Sequence, residues 1–332
     1  MAAARSPGQS RADRAVSGKP DKERAPDSWP LSIGLDIGAT WAKAWIVRRT
    51  EAGLEAPGEP MLERWNVTGF RPLDLQQQQD GAARSAGEVA TANELVRTAA
   101  AVVMRAAEGL ATAPALAIAT AGPKTEDGRG IALWRRGPRV PHLLDDLLAE
   151  LARQGFLPAA TPTRLFDDGA AAAAGELAAT NGSLHGITEA LYIGPGTGVA
   201  EAYISGGQLA PWPASIPPAY AEPMPSGATY GEPEPSGATY GDTIALAGQA
   251  DLTPNFAALA ELIALRKMQF AALDLPAFER ITIGAKGGEL LAAEPQTSPL
   301  WKPLKSKTEV RASNLYAAAA LGAVALETAP RR

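Results

Sequence analysis

From residue 31 onward, short apolar runs alternate with longer segments whose apolar residues recur every three or four positions, and this alternation predicts strands interleaved with helices. Residues 31–36 form one apolar run, and residues 41–47 form a second around Ala44, Trp45 and Ile46. One glycine and one hydroxyl residue lie between them, so the pair predicts a β-hairpin. Residues 85–110 place Val89, Ala92, Val96, Ala99, Val103, Ala106 and Leu110 on one helical face, opened by the capping-box pair Ser85 and Glu88. A buried strand follows at 115–120, stopped by Gly122-Pro123. The next helix starts at Pro141, turns Leu143, Leu144, Leu147, Leu148 and Leu151 inward, and ends at Gly155. Residues 164–166 read as a strand and 168–178 as a helix; 190–193 and 199–204 read as strands around a Gly-Pro-Gly-Thr-Gly turn. A helix at 256–273, a strand at 281–283 and a helix at 313–326 complete the pattern, which is that of an α/β protein.

Residues 1–29 lack this pattern. They are rich in Ala, Ser, Pro, Gly, Arg, Lys and Asp, have almost no large apolar residue before Trp29, and predict a disordered tail. Asp13, Asp21, Glu23 and Asp27 argue against a transit peptide, and the tail lacks the apolar periodicity of a DNA-binding helical domain. One repeat stands out: EPMPSGATYG at 222–231 and EPEPSGATYG at 232–241 differ at a single position. Its proline and glycine predict an extended exposed loop. That loop is either a local duplication without a role or a lid or partner surface beside a cleft.

A chain of 332 residues can hold two domains, and 46% hydrophobic with 20% charged residues places it among soluble globular proteins. A net charge of −5 argues against a nucleic-acid partner, which needs a basic face. The absence of cysteine excludes disulfides, thiolate zinc sites and a catalytic thiol. There is no apolar run of 18 residues, so no membrane span is expected, and without the apolar core of a secretory signal the expected location is the cytoplasm. The expected partner is a small molecule, with a homodimer left open.

The chemistry gathers at four places. The first hairpin reads Asp36-Ile37-Gly38-Ala39-Thr40-Trp41-Ala42-Lys43. Bare N–H groups at the Gly38 turn can approach a phosphate closely, and Asp36 at the strand end can hold Mg²⁺ directly or through water. Thr40 can donate to a phosphate oxygen. Lys43 is either a phosphate contact or a solvent-facing strand residue. Gly122 ends the strand at 115–120, Asp167 and Asp168 lie at a strand end just before a helix, and residues 193–209 form a second glycine-hydroxyl hairpin. The two hairpins together would clamp a polyphosphate from both sides.

These motifs, taken in order, resemble the ROK family of repressors and sugar kinases within the actin-like ATPase superfamily. The matching residues are Asp36-x-Gly38-x-Thr40, Thr120-Ala-Gly122-Pro123, Asp167-Asp168 through Gly175-Glu176, Gly196-Thr197-Gly198 and Gly284-x-x-Gly287-Gly288, spanning about 31–326. The resemblance implies two actin-like (ribonuclease H-like) domains around a cleft, the first at 30–165 with a closing helix at 313–328, the second at 166–312. It implies ATP and Mg²⁺, with Asp168 as the base that accepts the proton of the attacking hydroxyl; the alternative for Asp168 is a helix N-cap. Gly196, Thr197 and Gly198 would hold the β- and γ-phosphates, or form an ordinary turn. Gly287 and Gly288 would pack on adenine or ribose, or simply start a helix. Gly122, Asp167 and Glu222 are placed on the substrate side, with Trp212 and Tyr220 as further contacts by position.

The chain also departs from the family. The Glu-x-Gly-His element and its cysteine-rich zinc site are missing, so no zinc is expected, and Glu201 stands where a glycine is usual beside the phosphates. The expected function is ATP- and Mg²⁺-dependent phosphoryl transfer to a hydroxyl of a sugar or related polyol. The alternatives are a polyphosphate-dependent glucokinase and a catalytically inactive nucleotide or sugar sensor.

Overall fold

Two sheets of the same design make up the frame. In the computed structural model, which describes residues 30–65, 70–224, 239–245, 254–304, 309–313 and 315–329, the first sheet is built from β1 (Ser32–Ile37), β2 (Trp41–Thr50), β3 (Gly53–Glu55), β4 (Met61–Arg64), β5 (Ala115–Thr120) and β6 (Phe166–Asp167). Its order is β3-β2-β1-β5-β6, with β4 also on β2. The second sheet holds β7 (Ala190–Pro195), β8 (Val199–Ser205), β9 (Gln208–Ala210), β10 (Arg280–Ile283) and β11 (Glu309–Ala312), in the order β9-β8-β7-β10-β11. Each has an antiparallel hairpin (β1-β2, β7-β8) flanked by parallel strands (β5-β6, β10-β11). The tail at 1–29 and residues 225–238 of the repeat lie outside the described residues.

The helices are α1 (Leu75–Gln79), α2 (Ala86–Ala107), α3 (Leu143–Arg153), α4 (Asp168–Ala178), α5 (Tyr240–Ile244), α6 (Phe256–Ala272), α7 (Ala285–Ala292) and α8 (Ala318–Thr328), with a 3-10 turn at Pro299–Leu304. Strand alternation decides the layers. Ile33, Leu35 and Ile37 of β1 pack with Leu95, Val103, Leu144 and Leu147 of α2 and α3. The other face of this sheet, with Trp45, Val47, Ala117 and Ala119, packs with Ala320, Leu321 and Val324 of α8 and with Ala171 of α4. In β7, Leu191 and Ile193 face α6, while Ala190 and Tyr192 face α4. Thus α4 and α8 lie between the sheets, and α2, α3 and α6 cover the outside. No helix among the described residues is long and apolar enough to cross a membrane.

The chain passes from the first sheet to the second through α4 and returns through α8. These helices touch backbone to backbone. A Cβ on Gly175 would overlap the Ala318 carbonyl, and one on Gly322 would overlap the Ala171 carbonyl. Alanines fill the rest of the seam.

The helix at 168–178 and the strand pairs of both hairpins fold as the pattern predicts. Three boundaries differ for physical reasons. The closing helix begins at Ala318, not 313, because Ser313 donates to the buried Glu176 carboxylate and accepts the Leu315 N–H at 3.0 Å, which ties Ser313 and Leu315 into a cap outside the helix. The strand expected at 164–166 pairs only over Phe166–Asp167. The Ser85–Glu88 capping box is half made: Ser85 accepts the Glu88 N–H at 3.0 Å, but the Glu88 carboxylate turns to the buried Arg139, at 2.8 Å to both Nε and Nη2.

Gly322→Val should destabilise the fold by about 2–4 kcal/mol, since neither backbone at the α4–α8 crossing can yield without moving a sheet. Urea unfolding measures this, and an unchanged midpoint would show that the crossing is not a fixed contact.

Candidate active site

Three parallel strands of the first sheet end at one level. Ile37 pairs with Thr120, and Thr120 with Asp167. Asp36, Asp167 and Asp168 therefore share the carboxyl edge of the sheet, where ligands of open α/β sheets bind. Asp36 faces its cross-strand partner Lys43, with Nζ 3.4 Å from Oδ2. Lys43 also lies over the Tyr316 ring, 4.8 Å from its centroid. Burial works to lower the Lys43 ammonium, but Asp36, Tyr316 and Glu289 together hold it above its usual value. Lys43 is thus a half-buried cation paired with Asp36.

The N-cap of α4 is Asp167, which accepts the Ala170 N–H at 3.0 Å. That assigns the capping duty to the first carboxylate and leaves Asp168, the first helical residue, with only the neighbouring Gly169 N–H at 3.0 Å. Burial, then the charges of Asp167 and Asp36, push the Asp168 carboxyl up to about 7 against the pull of Lys124 and of the Gly169 N–H. The start of α4 presses on the outgoing strand of the second hairpin: a Cβ on Gly169 would lie 3.0 Å from Ala200 Cβ. Asp168 therefore sits where both sheets deliver their hairpins.

Glycine at the two turns has no internal cause. Gly38, Gly196 and Gly198 do not adopt positive φ. A Cβ on Gly38 would meet only the Trp41 oxygen, at 3.7 Å, one on Gly196 only the Gly198 oxygen, at 4.0 Å, and one on Gly198 nothing within 4 Å. The turns close on themselves, Gly38 N–H to Trp41 O at 2.9 Å and Gly196 N–H to Gly198 O at 2.7 Å. What the missing side chains leave is bare backbone open to a ligand, with Thr40 half-buried and Thr197 exposed beside it. This fits a polyphosphate. Among the described residues no three His, Cys, Asp or Glu converge as a resident metal centre. A single carboxylate such as Asp36 suits a Mg²⁺ ion that keeps its waters and arrives on the phosphates.

Gly122 has a different reason for being glycine: φ is +84°, and a Cβ would lie 2.6 Å from the Leu133 carbonyl oxygen. Its own carbonyl accepts from Lys124 Nζ at 2.5 Å, as the Thr120 carbonyl does at 2.7 Å. Burial lowers the Lys124 ammonium, although Asp167 and Asp168 pull it back up.

Four of the residues expected at the ligand are engaged inside the protein. Glu222 is buried, and its carboxylate accepts from Arg266 Nη1 at 2.9 Å and Gln269 Nε2 at 3.0 Å. Gly287 and Gly288 are buried at the first turn of α7, against the Pro195 ring and the Ile283 and Ser313 carbonyls, so Ala285 and Lys286 form the exposed surface there. Trp212 is also internal: it donates to the Ile216 carbonyl at 2.8 Å and lies under Arg266. Glu201 does not confront a phosphate. It turns away to Arg266, with Nε at 2.7 Å, and accepts the Ala219 N–H at 2.6 Å. Arg266, wholly buried in α6, thus ties down the segment 212–222 and sets Tyr220 near the site, where burial, Asp167 and Glu201 push its phenol upward.

Sequence reasoning missed Lys124, Tyr192 and Tyr316. Tyr192 is buried, its phenol raised far above its usual value by burial and by Glu176, Asp168 and Asp36. The available signals were a lone cation after Gly122-Pro123 and a single phenol inside the apolar run 190–193. The two histidines stay outside: His142 is an N-cap without a side-chain cap bond, and His185 lies 3.2 Å from the Leu177 carbonyl.

No protein-family model matches the chain, and no curated protein matches it. Solved structures do. The inorganic polyphosphate/ATP-glucomannokinase of Arthrobacter sp. strain KM aligns over 90% of this chain and 98% of its own, with 17% identity and a TM-score of 0.58. A ROK family glucokinase from Streptomyces griseus, solved with glucose and AMPPNP, aligns over 90% and 99%, with 18% identity and a TM-score of 0.57. A ROK family protein from Streptococcus pneumoniae TIGR4, solved with sucrose, aligns over 89% and 97%, with 14% identity and a TM-score of 0.51. This chain has the two-domain actin-like fold of the ROK proteins. The motif resemblance therefore extends to the backbone.

Arg266→Met should cost about 3–5 kcal/mol, because it strands two buried carboxylates. Adding Glu201→Gln and Glu222→Gln should recover most of that loss in chemical unfolding. Asp168→Asn tests the raised carboxyl. A raised folded-state pKa contributes stability below the unfolded value, about 3.9, and loses it as pH rises through about 7. The Asn variant should therefore melt above the native protein at pH 8, with the difference fading below about pH 4. An equal difference at both pH values would mean that the Asp168 carboxyl is not raised.

Proposed function

We propose that the chain is a ROK-type sugar kinase that transfers the γ-phosphoryl group of MgATP to a hydroxyl of a sugar or related polyol. The observation that carries this reading is the unexplained bareness of Gly38, Gly196 and Gly198 on two hairpins that flank Asp168. The lobes are taken as 30–165 with 313–328, and 166–312.

In the reaction, the acceptor oxygen attacks the γ-phosphorus, a new O–P bond forms, the bond to the β,γ-bridging oxygen breaks, and ADP departs. Asp168 takes the hydroxyl proton. A carboxyl raised to about 7 is better matched to that task near neutral pH than an ordinary aspartate. The Gly198 N–H and the hydroxyls of Thr40 and Thr197 hold phosphate oxygens in place, and the bare turns at Gly38 and Gly196 let the phosphates approach. Lys43 adds positive charge, and Asp36 reaches the Mg²⁺ of the substrate through water. Closure of the lobes, with Arg135 and Asp242 paired between them, excludes water as a competing acceptor.

A sensor without turnover is the second reading. It is favoured by Glu222, whose carboxylate is bound by Arg266 and Gln269 instead of being open to a sugar.

Coupled ADP release over a panel of sugars decides between them. A kinase turns over at least one sugar, loses about 10²–10⁴-fold in rate with Asp168→Asn, and shows kcat/KM falling as pH drops through about 7. A ligand-induced rise in melting temperature with no turnover in either protein would leave only the sensor.

A further inference from the structure

Of Trp212, Tyr220 and Glu222, all expected at the acceptor, two turn inward. Glu222 is bound by Arg266 and Gln269, and Trp212 donates to the Ile216 carbonyl with Arg266 over its ring. Tyr220 does not. Its side chain is 47% exposed and makes no hydrogen bond or ring contact among the described residues. A half-exposed tyrosine needs no explanation by itself. The backbone beneath it does.

The segment that bears Tyr220 is held on both sides. The Ala219 N–H bonds the Glu201 carboxylate at 2.6 Å, and the Ala219 carbonyl accepts the Gly241 N–H at 2.7 Å. The Ala221 and Glu222 N–H groups bond the Pro218 carbonyl at 2.8 and 2.9 Å, and the Glu222 carbonyl accepts the Tyr240 N–H at 3.0 Å. A Cβ on Gly241 would lie 2.8 Å from Tyr220 Cα, so the segment seats only against a glycine. The Glu201 and Glu222 carboxylates both end on the wholly buried Arg266. A buried ion network adds little net stability over apolar residues of the same volume. Its geometric effect here is to fix the backbone under one exposed aromatic side chain.

That side chain stands at the edge that carries Asp167 and Asp168. Glu201, which holds Ala219, runs against the start of α4: a Cβ on Gly169 would lie 3.2 Å from both the Glu201 nitrogen and its carbonyl oxygen. Asp167 and Asp168 immediately precede Gly169, and the Asp167 charge reaches the Tyr220 phenol. A tyrosine on a fixed backbone offers a broad apolar face and one hydroxyl at low entropic cost. The face of its ring is negative and attracts C–H groups that carry partial positive charge. A pyranose presents such C–H groups as one preformed surface, whereas an open-chain polyol must order several torsions to do so.

We propose that Tyr220 is the specificity-determining contact for the acceptor, packing its ring on the C–H face of a cyclic sugar, so that the substrate class is a pyranose and not an open-chain polyol. The inference deepens the kinase reading by choosing between sugar and polyol, and it rests on that reading for the place of the acceptor.

Titration calorimetry in the presence of AMPPNP, with glucose, mannose and galactose against glucitol, mannitol and galactitol, tests it on the native protein and on Tyr220→Phe, Tyr220→Leu and Tyr220→Ala. At least one cyclic sugar should bind about tenfold or more tighter than its own alditol. Tyr220→Phe should keep most of that preference, because the ring remains. Tyr220→Leu, which keeps apolar bulk without a π face, and Tyr220→Ala should each weaken binding of that sugar about tenfold, with the melting temperature unchanged. In coupled ADP release the loss should appear in KM, with kcat nearly unchanged. An alditol that binds as tightly as its sugar, binding of none of the six probes, or a preference that survives Tyr220→Leu and Tyr220→Ala each overturns the proposal. A loss with Tyr220→Phe as large as with Tyr220→Ala would assign the contact to the hydroxyl and overturn the stacked ring. Turnover of a sugar that is insensitive to Tyr220→Ala removes the contact and keeps the kinase, whereas Tyr220-dependent sugar binding without ADP release removes the kinase and keeps the sugar contact.

Discussion

The crossing of α4 and α8 is the constraint from which the rest of the molecule follows. Each helix leaves one sheet and packs on the other, and their backbones touch at Gly175 and Gly322 with no side chain between. A close-packed interior has a low tolerance for displacement. The separation of the sheets is therefore fixed by two absent side chains and a run of alanines. Because α4 begins at Asp168, the same contact decides where the carboxylate stands relative to both hairpins.

Around that carboxylate the charges are arranged in opposition. Asp36 and Asp167 raise the proton affinity of Asp168, Lys124 lowers it, and Lys43 is spent mainly on Asp36. Asp167, not Asp168, caps the helix. On the opposite lobe a buried arginine holds two glutamates and the segment that bears Tyr220. A chain without cysteine thus ties the segment down with a buried ion network, whose geometry depends on every member being satisfied.

Glycine in this protein has three separate meanings. Gly122 is needed for a left-handed turn. Gly175, Gly287, Gly288 and Gly322 are needed because backbone or proline atoms occupy the place of a Cβ. Gly38, Gly196 and Gly198 meet neither need and leave bare backbone at the two turns. In the sequence all of them look alike, which is why Gly287 and Gly288 were expected at the nucleotide and are found in a packing contact.

The strand and helix order, both hairpins, the helix at 168–178 and the placing of Asp36, Asp167 and Asp168 at strand ends were legible from residue periodicity and turn chemistry, because those signals are local. The short strands β3, β4, β9 and β11 and the start of α8 were not, because pairing partners and the Ser313–Glu176 contact come from distant parts of the chain. The motif order was sufficient to suggest the fold. Which of two adjacent aspartates caps the helix, and where Glu201 and Glu222 point, were decided only in three dimensions. Hydrogen bonds and desolvation depend on what lies within a few ångströms in space, and that neighbourhood is set by packing rather than by sequence spacing.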